Sequence, residues 1–387
     1  MKRQLWFAAA AISLAGLTAC ASAAAKVGTA LVPLPTTPLA TSLVTAQGGW
    51  ATMVMGGSAA SEDNFWQLFV RPAGTSTWSL VTPPGVADNG GLVTAGSATS
   101  LLVGFRPSQD LAFSPLASSG DAGKKWATGL LNASLASVPD ALSIGAGGQE
   151  LAVTSNGTVD LGSASGSWST LTTLKALAAS APGRECGLQD VTAVSFWSDG
   201  SYVVAGSCAR PGVAGVFRDT DGTWEAAGPE LPAAYAGRRV QVLRLSGTAA
   251  LLQAGPDLLA TWLNGTQWSQ PQVLAGTAQA SGFGPGDATA WVLLGGGRAA
   301  TIINGSSQGW TELPRVPAGT AVLAAPGPGS VARAHALPAG GNRPPGPPGS
   351  WEALAASGSR LTVWTLEGAS WIHGEVINVP IQYGSSS

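Results

Sequence analysis

The chain contains few residues whose types and spacing fit a known chemistry. Gly305-Ser306-Ser307-Gln308-Gly309 has the Gly-x-Ser-x-Gly form of a hydrolase nucleophile elbow. Such an elbow needs a strand, a sharp turn and then a helix, whereas this string lies between two strand-like runs. Its partner base could only be His335 or His373, the two histidines of the chain. We interpret the string as a turn and predict no catalytic residue.

Metal and cofactor sites have little support in the sequence. The two histidines are 38 residues apart and lack the spacing of a zinc or iron site. Two carboxylate pairs, Glu62-Asp63 and Asp219 with Asp221, could contribute to a calcium site. Neither has the dense oxygen-ligand pattern that calcium requires. We therefore expect no metal and no cofactor.

The N-terminus has the features of an export signal. Lys2 and Arg3 precede an apolar run from Leu5 to Leu17, and Thr18-Ala19-Cys20 follows. This arrangement resembles the lipobox of bacterial lipoproteins. The resemblance implies removal of residues 1–19, acylation of Cys20, and anchoring by lipid on the extracytoplasmic face of a membrane in the bacterial cell envelope. The alternative is an ordinary secretory signal cleaved among alanines 21–25.

Export bears on the two remaining cysteines, Cys186 and Cys208, which are 22 residues apart. An oxidising compartment favours a disulfide, and one pairing is available. The alternative is two buried free thiols. A zinc site is disfavoured because neither cysteine has a second cysteine or a histidine nearby.

The composition limits the possible partners. Charged residues make up 10% of the chain, against about 25% in an average soluble protein. Removal of residues 1–19 leaves 17 basic and 21 acidic residues, a net charge of −4. This weak charge argues against a nucleic-acid partner and against electrostatic docking on anionic lipid.

Seven tryptophans, each closing a short Gly-containing turn, recur along the chain at intervals of 42 to 61 residues. They are Trp78, Trp126, Trp168, Trp224, Trp268, Trp310 and Trp371. Between them lie short β-rich runs broken by Gly, Pro, Asn and Ser, and the segment from Val240 to Leu274 contains four such runs. A period in this range is typical of propeller blades. The sequence predicts an all-β fold, a seven-bladed β-propeller of four-stranded antiparallel blades.

The repeated tryptophans have a structural explanation. A large ring after the turn can pack across the neighbouring strand or against the next blade. The alternative is a carbohydrate-stacking surface, which the fixed strand position of the rings disfavours.

No composition break divides the propeller, which we place at residues 42–387. We expect residues 20–41, rich in Ala, Pro and Thr, to form a flexible tether. A short helix is possible near 171–180. The Pro-rich stretch at 340–349 predicts an exposed loop inside the last blade.

Two turns contain part of a known motif. Residues 119–126, with Ser119, Asp121, Gly123 and Trp126, resemble the Asp-box (BNR-like) repeat Ser-x-Asp-x-Gly-x-Thr-Trp of sialidase-type propellers, with Lys125 in place of Thr. A second, shortened copy contains Asp219, Asp221, Gly222 and Trp224. The carboxylates of such turns can accept backbone N–H groups, which is a structural role.

Sialidases carry an Arg-Ile-Pro element, an arginine triad and a tyrosine–glutamate pair. Arg-Ile-Pro is absent, and none of Tyr202, Tyr235 and Tyr383 has a neighbouring glutamate. The chain is also similar to the non-enzymatic propellers of photosystem assembly factors. We therefore predict a non-catalytic binding or assembly scaffold, anchored by lipid, whose partner is an envelope protein or a cell-wall glycan. The main alternative is a sialidase-like glycoside hydrolase or carbohydrate-binding protein. A further alternative is a purely structural envelope protein with no specific ligand.

Overall fold

The computed structural model describes residues 37–43, 50–55, 66–72, 75, 77–83, 88–95, 99–107, 113–132, 139–145, 147–163, 166–325, 350–357 and 360–378. The chain divides into two units, Met1–Val32 and Pro33–Ser387, and every described residue belongs to the second. Several sequence-based expectations concern residues outside these ranges. They are the signal peptide, Cys20, Glu62-Asp63, His335, the Pro-rich stretch and Tyr383.

The second unit is a seven-bladed β-propeller of antiparallel sheets, each built from strands consecutive in sequence. From inner to outer, the first three blades are β1 (Thr37–Leu43), β2 (Trp50–Met55), β3 (Trp66–Arg71) and β4 (Ser79–Leu80); β5 (Asp88–Ala95), β6 (Leu101–Pro107), β7 (Phe113–Ser119) and β8 (Ala127–Asn132); and β9 (Ala141–Ile144), β10 (Gln149–Val153), β11 (Thr158–Ser163) and β12 (Trp168–Thr173).

Two helices follow the third blade, α1 (Leu174–Ala179) and α2 (Ala181–Cys186). The remaining blades are β13 (Ala193–Phe196), β14 (Tyr202–Gly206), β15 (Gly215–Thr220) and β16 (Thr223–Ala226); β17 (Val240–Leu245), β18 (Ala249–Ala254), β19 (Asp257–Asn264), β20 (Gln267–Trp268) and β21 (Gln272–Ala275); β22 (Ala278–Phe283), β23 (Thr289–Leu294), β24 (Arg298–Ile303) and β25 (Thr311–Leu313); and β26 (Thr320–Ala324), β27 (Glu352–Ser357), β28 (Arg360–Glu367) and β29 (Ser370–Asn378). Single 3₁₀ turns occur at Ala233–Tyr235, Pro285–Asp287 and Gly295–Gly297.

The predicted fold class is confirmed, and so is a short helix within 171–180. The fifth blade differs in detail, because its outer strand is split into β20 and β21, which both pair with β19. Pro271 lies at the split. Proline cannot donate to the ladder, so it is tolerated in an edge strand, where it interrupts the pairing.

The start of the propeller also differs from the expected one. β1 begins at Thr37, inside the segment assigned to the tether, and pairs with β2 from Thr37↔Met55 to Leu43↔Trp50. The Pro and Thr content suggested a linker. However, Pro38 is the second residue of the strand and lies beside a register shift between Pro38 and Ala40, where proline is compatible with a strand.

The core consists of apolar layers between neighbouring blades. The layer between blades four and five, for example, contains Val203 and Val216 from one side and Val242 and Leu252 from the other. Middle strands are covered on both faces, which explains their continuous apolar runs; all six residues of β23 are buried. Blades seven and one meet in the same way, with Leu354 packed among the residues around Trp50, so the ring is closed.

Candidate functional site

Antiparallel pairing gives the ring two different faces. We call the face with the connections between blades and between second and third strands the crossing face; among others it contains residues 174–192, 207–214, 227–239, 255–256, 295–297 and 314–319. The opposite face has the remaining hairpin turns, and we call it the turn face; it contains residues 120–126, 197–201, 221–222, 265–266, 304–310 and 368–369.

The turn face contains the first Asp-box-like turn, whose polar groups are used within the turn. Asp121 Oδ1 accepts the Lys125 backbone N–H at 2.8 Å and the Ser119 hydroxyl at 2.9 Å. Ser119 Oγ in turn accepts the Gly123 N–H at 2.8 Å. The Lys125 N–H, first among several contacts, lowers the pKa of Asp121. Gly123 has a φ of 84°, where a side chain would be strained.

The second copy is a two-residue hairpin turn. Asp221 and Gly222 have φ angles of 52° and 82°, and Thr220 pairs with Thr223 across them. Asp219 pairs with Trp224 one step further along. Burial raises the pKa of Asp219, although the Gly222 N–H opposes this shift. Neither turn forms a cleft.

All seven repeat tryptophans lie immediately before the outer strand of their blade or are its first or second residue, and all are half-buried. Of the two expected contacts, packing across the neighbouring strand is seen for Trp168, which covers Gly162. The contacts between blades are made with the preceding blade and not with the next one. Four indole N–H groups donate to backbone carbonyls of that blade: Trp126 to Val81, Trp268 to Ala227, Trp310 to Gln272 and Trp371 to Pro314, at 2.7 to 3.1 Å. Trp78 donates to Glu375 of the seventh blade. Trp168 lies against Gly129 of the second blade, and Trp224 packs on the core below the two helices.

The helices lie on the crossing face and are fixed to the fourth blade. Thr173 and Ser180 cap them, each accepting a backbone N–H from the first turn. Cys186 at the end of α2 forms a disulfide with Cys208, which follows β14; their Cα atoms are 5.2 Å apart and both residues are buried.

Next to this bridge, the crossing face has a cleft of about 690 Å³ between blades four and five. It is lined by Asp190, Ser207, Arg238, Arg239, Val240, Gln241, Gln253, Gly255 and Pro256. All but the first two belong to the fifth blade or to the segment leading into it.

The fold already fixes several polar groups of the cleft. Asp190 accepts the Ser207 N–H at 2.6 Å on one carboxylate oxygen and the Ser207 hydroxyl on the other. Gln253 donates to the carbonyls of Gly255, Asp257 and Gly276 at 2.8 to 3.2 Å. These side chains therefore have little freedom to lose when a ligand binds.

Arg238 is held in the same way. It forms an ion pair with Asp257 at 2.5 Å, and its guanidinium carbon lies 5.2 Å from the centre of the Tyr235 ring. Burial, with the nearby Asp257 carboxylate, raises the pKa of the Tyr235 phenol. A tyrosine nucleophile must be accessible and must lose its proton readily, whereas Tyr235 is 6% exposed. Its environment therefore does not suit the sialidase-like alternative.

Arg239 lies at the cleft, and Arg244 lines the axial channel, which is the space enclosed by the seven innermost strands. Arg239 is exposed and donates to Gln189. Arg244 lies on the innermost strand β17 and is exposed, although the surrounding protein lowers the pKa of its guanidinium. Both properties suit a group in a solvent-filled channel enclosed by the blades. Gln241, on the same strand, is exposed where the cleft meets the channel.

The buried carboxyl group with the largest change in pKa, Glu150, lies outside the cleft and the channel. Burial raises the pKa of Glu150 to about 7, although a hydrogen bond to Ser118 opposes this change. Glu150 is 4% exposed and lies between blades two and three, close to Trp168.

The other sequence candidates do not form a site. Gly305 to Gly309 is a turn between β24 and β25, as expected, with no helix after it. His373 packs edge-on against Trp364, with the ring centres 4.9 Å apart. The described side chains include no group of three or more His, Cys, Asp or Glu residues that could hold a metal ion. Within the described ranges, no helix has the length and hydropathy of a membrane span.

Sequence reasoning missed the cleft and the channel. One signal was present: the seven innermost strands contain only two ionisable residues, Asp88 and Arg244. This scarcity of charge indicates a channel only when the innermost strands are known, and the tryptophan repeat does not identify those strands.

Comparison with known proteins does not identify a family. No protein-family profile matches the chain, and no curated protein is significantly similar to it. Among solved structures, YCF48 bound to D1 peptide is 16% identical over 73% of this chain and 83% of that chain, with a TM-score of 0.39. YCF48 from Cyanidioschyzon merolae is 14% identical over 73% and 87%, with a TM-score of 0.42. A chain of the Mitotic Checkpoint Complex is 12% identical over 87% and 89%, with a TM-score of 0.48. At these identities the likeness concerns the fold alone.

Proposed function

We propose that this chain is a non-catalytic binding scaffold of the bacterial cell envelope, anchored to the membrane through a lipid on Cys20, and that it binds a protein partner at the crossing-face cleft. The observation that carries this proposal is the cleft between blades four and five, whose polar side chains are fixed by the fold. A surface of this kind lowers the entropic cost of binding.

The chemistry of the cleft favours binding over hydrolysis. Both carboxylate oxygens of Asp190 are engaged by Ser207, and Asp257 is paired with Arg238. A glycosidase needs two carboxyl groups that face the bond to be broken, one of them free to donate a proton. The engaged carboxylates of the cleft are suited to orienting neighbouring groups, a role that fits recognition.

The lipid anchor depends on the sequence alone, on the lipobox-like Leu17-Thr18-Ala19-Cys20. It places the propeller in the envelope, where proteins of the same membrane and cell-wall glycans are within reach. We favour a protein partner because the charges around the cleft can pair with acidic or polar side chains.

Site-specific photo-crosslinking in native membranes tests this proposal. A photoreactive amino acid replaces Gln241 in the cleft or, as the matched control, Thr223 on the turn face. We expect one dominant protein adduct from position 241 and none from position 223. Equal labelling of abundant neighbours from both positions would contradict the proposal. A glycan adduct from position 241 would instead support the carbohydrate-binding alternative.

A further inference from the structure

The strongest unexplained charge in the described part of the propeller is Arg244. It lies on β17, the innermost strand of the fifth blade, and the residue is exposed. Its neighbours Val242 and Leu243 belong to the layers packed against the adjacent blades. Arg244 is the fifth of the six residues of β17, so it lines the axial channel toward its turn-face end.

The contacts of Arg244 leave its charge uncompensated. Its Nε donates to the backbone carbonyl of Ser281 on β22 at 3.0 Å, and a terminal nitrogen lies 3.4 Å from the carbonyl of Leu243. Among the described side chains, no carboxylate lies within ion-pair distance of it. The two carbonyls orient the guanidinium without neutralising it, and much of its planar donor set stays available.

Two amides lie between Arg244 and the crossing face. Gln241 and Gln279, near the crossing-face ends of β17 and β22, are exposed uncharged amides. At that face the innermost strands β9 and β13 begin with small residues, Ala141 and Ala193, and β5 begins with the acidic Asp88. The cleft meets the channel at this mouth, since Gln241 lines both.

We propose that the axial channel is a carboxylate-binding site in which the Arg244 guanidinium binds the carboxylate and Gln241 and Gln279 bind the groups next to it. A guanidinium offers a planar pair of donors that matches the two oxygens of a carboxylate, and a partly desolvated channel strengthens such a contact. This inference rests on the proposed binding function and names the group that the site recognises. The carboxylate belongs either to a small organic acid or to the end of a polypeptide chain, because a segment that enters a narrow channel presents its end first.

Protection of arginines from phenylglyoxal tests this site in the unmodified full-length chain, extracted from membranes in detergent. Four additives are compared: acetate, acetyl-Ala-Gly-Ala with a free C-terminus, the same peptide as its amide, and inorganic phosphate. The rate of modification is measured for each arginine by mass spectrometry. Arg360, exposed on the crossing face of the seventh blade, is the control.

We expect saturating carboxylate to slow modification of Arg244 by about tenfold, the scale of a charge-assisted contact, with no change at Arg360. The amide should give no protection. Protection by the free-acid peptide at lower concentration than acetate assigns the carboxylate to a chain end, and the reverse order assigns it to a small acid. Equal protection by phosphate or by the amide, or none by either carboxylate, would overturn the proposal.

Two variants with the same change add a second test. Arg244→Gln should abolish carboxylate binding, measured by calorimetry, whereas Arg360→Gln should leave it unchanged. Should Arg244→Gln fail to fold, the protection experiment still decides the question. Photo-crosslinking at position 241 is scored separately. A partner captured equally by wild type and Arg244→Gln would support the cleft function and exclude this partner as the source of the carboxylate. Protection of Arg244 by a carboxylate without a captured partner would support the channel site and contradict the cleft function.

Discussion

The indole N–H of Trp78 donates a 2.8 Å hydrogen bond to Glu375, and this bond joins the outer edge of the first blade to the seventh. Further in, Glu352 accepts the indole N–H of Trp50 at 2.6 Å and pairs with Arg71 at 2.5 Å. Every sheet consists of strands consecutive in sequence. This junction, which we call the seam, is therefore closed by side chains and not by a strand shared between blades.

Glu352→Gln should destabilise the propeller, because Arg71 is 6% exposed and would lose its closest carboxylate. We expect a loss of about 2 kcal/mol in the free energy of unfolding, measured by urea denaturation. Glu230→Gln changes an exposed carboxylate on the crossing face and is the matched control. Equal midpoints for the two variants would show that the ion pair at the seam contributes nothing.

Asp121→Ala should lower the melting temperature without changing partner capture at position 241, because Asp121 holds only its own turn on the opposite face. Its folded-state pKa is lowered, so its contribution is present above the unfolded pKa, near 3.8, and is lost as the pH falls further. Gly120→Ala, at a position with open space around it, is the control. Loss of capture at unchanged stability would mean that the Asp-box-like turn is itself a binding site.

Glu150→Gln should make the propeller more stable at pH 8 than the wild type. The folded-state pKa of Glu150 is raised to about 7, so the wild type loses stability as the pH rises from about 4.5 to about 7. The difference in the free energy of unfolding between the variant and the wild type should grow over this pH range to at most about 3 kcal/mol. Glu185→Gln, at an exposed position, should show no such trend. A pH-independent difference would contradict the assignment to Glu150.

Replacing both Cys186 and Cys208 by Ser should lower the free energy of unfolding by about 3 kcal/mol, because the disulfide no longer restricts the unfolded chain in a loop of this length. The change also removes the covalent link beside Ser207, which holds Asp190 in the cleft. We therefore expect faster amide hydrogen exchange in α2 and at Ser207 than in the wild type. Unchanged exchange there would show that packing alone fixes the helices.

Cys20→Ala should release the protein from the membrane fraction, because the lipid on this residue is the proposed anchor. Fractionation followed by immunoblotting measures this, with labelling by a fatty-acid analogue as the direct test of acylation. Retention of the variant in the membrane fraction would contradict the lipoprotein hypothesis.

The spacing of the tryptophans was enough to predict the number of blades, because each ring marks one outer strand. The direction of the contact could not be predicted. Trp126 reaches back to Val81, and whether a ring faces the preceding or the next blade depends on the twist of the sheets and not on the local sequence. The start of β1 was also missed, since a Pro- and Thr-rich run fits a linker as well as an edge of a sheet.

The candidate site was beyond prediction for a related reason. Asp190, Ser207 and Gln253 come from three separate segments, and none lies in a motif. Their positions around one cleft follow from the packing of blade four on blade five. Arg244 looks like an ordinary surface arginine until its strand is known to line the channel.

The seam has a consequence for the topology of the chain. Thr37 begins β1 at the crossing face, and Asn378 ends β29 at the same face in the neighbouring blade. Both ends therefore lie on the crossing face, one at the inner edge of the first blade and the other at the outer edge of the seventh, and no blade is completed by a strand from the other end. Because each blade is complete in sequence, the chain could begin at any of the connections between blades and still form the same ring. A circular permutant that joins the two ends and opens the short connection at residues 276–277 should form the same seven blades, with a peptide link across the seam.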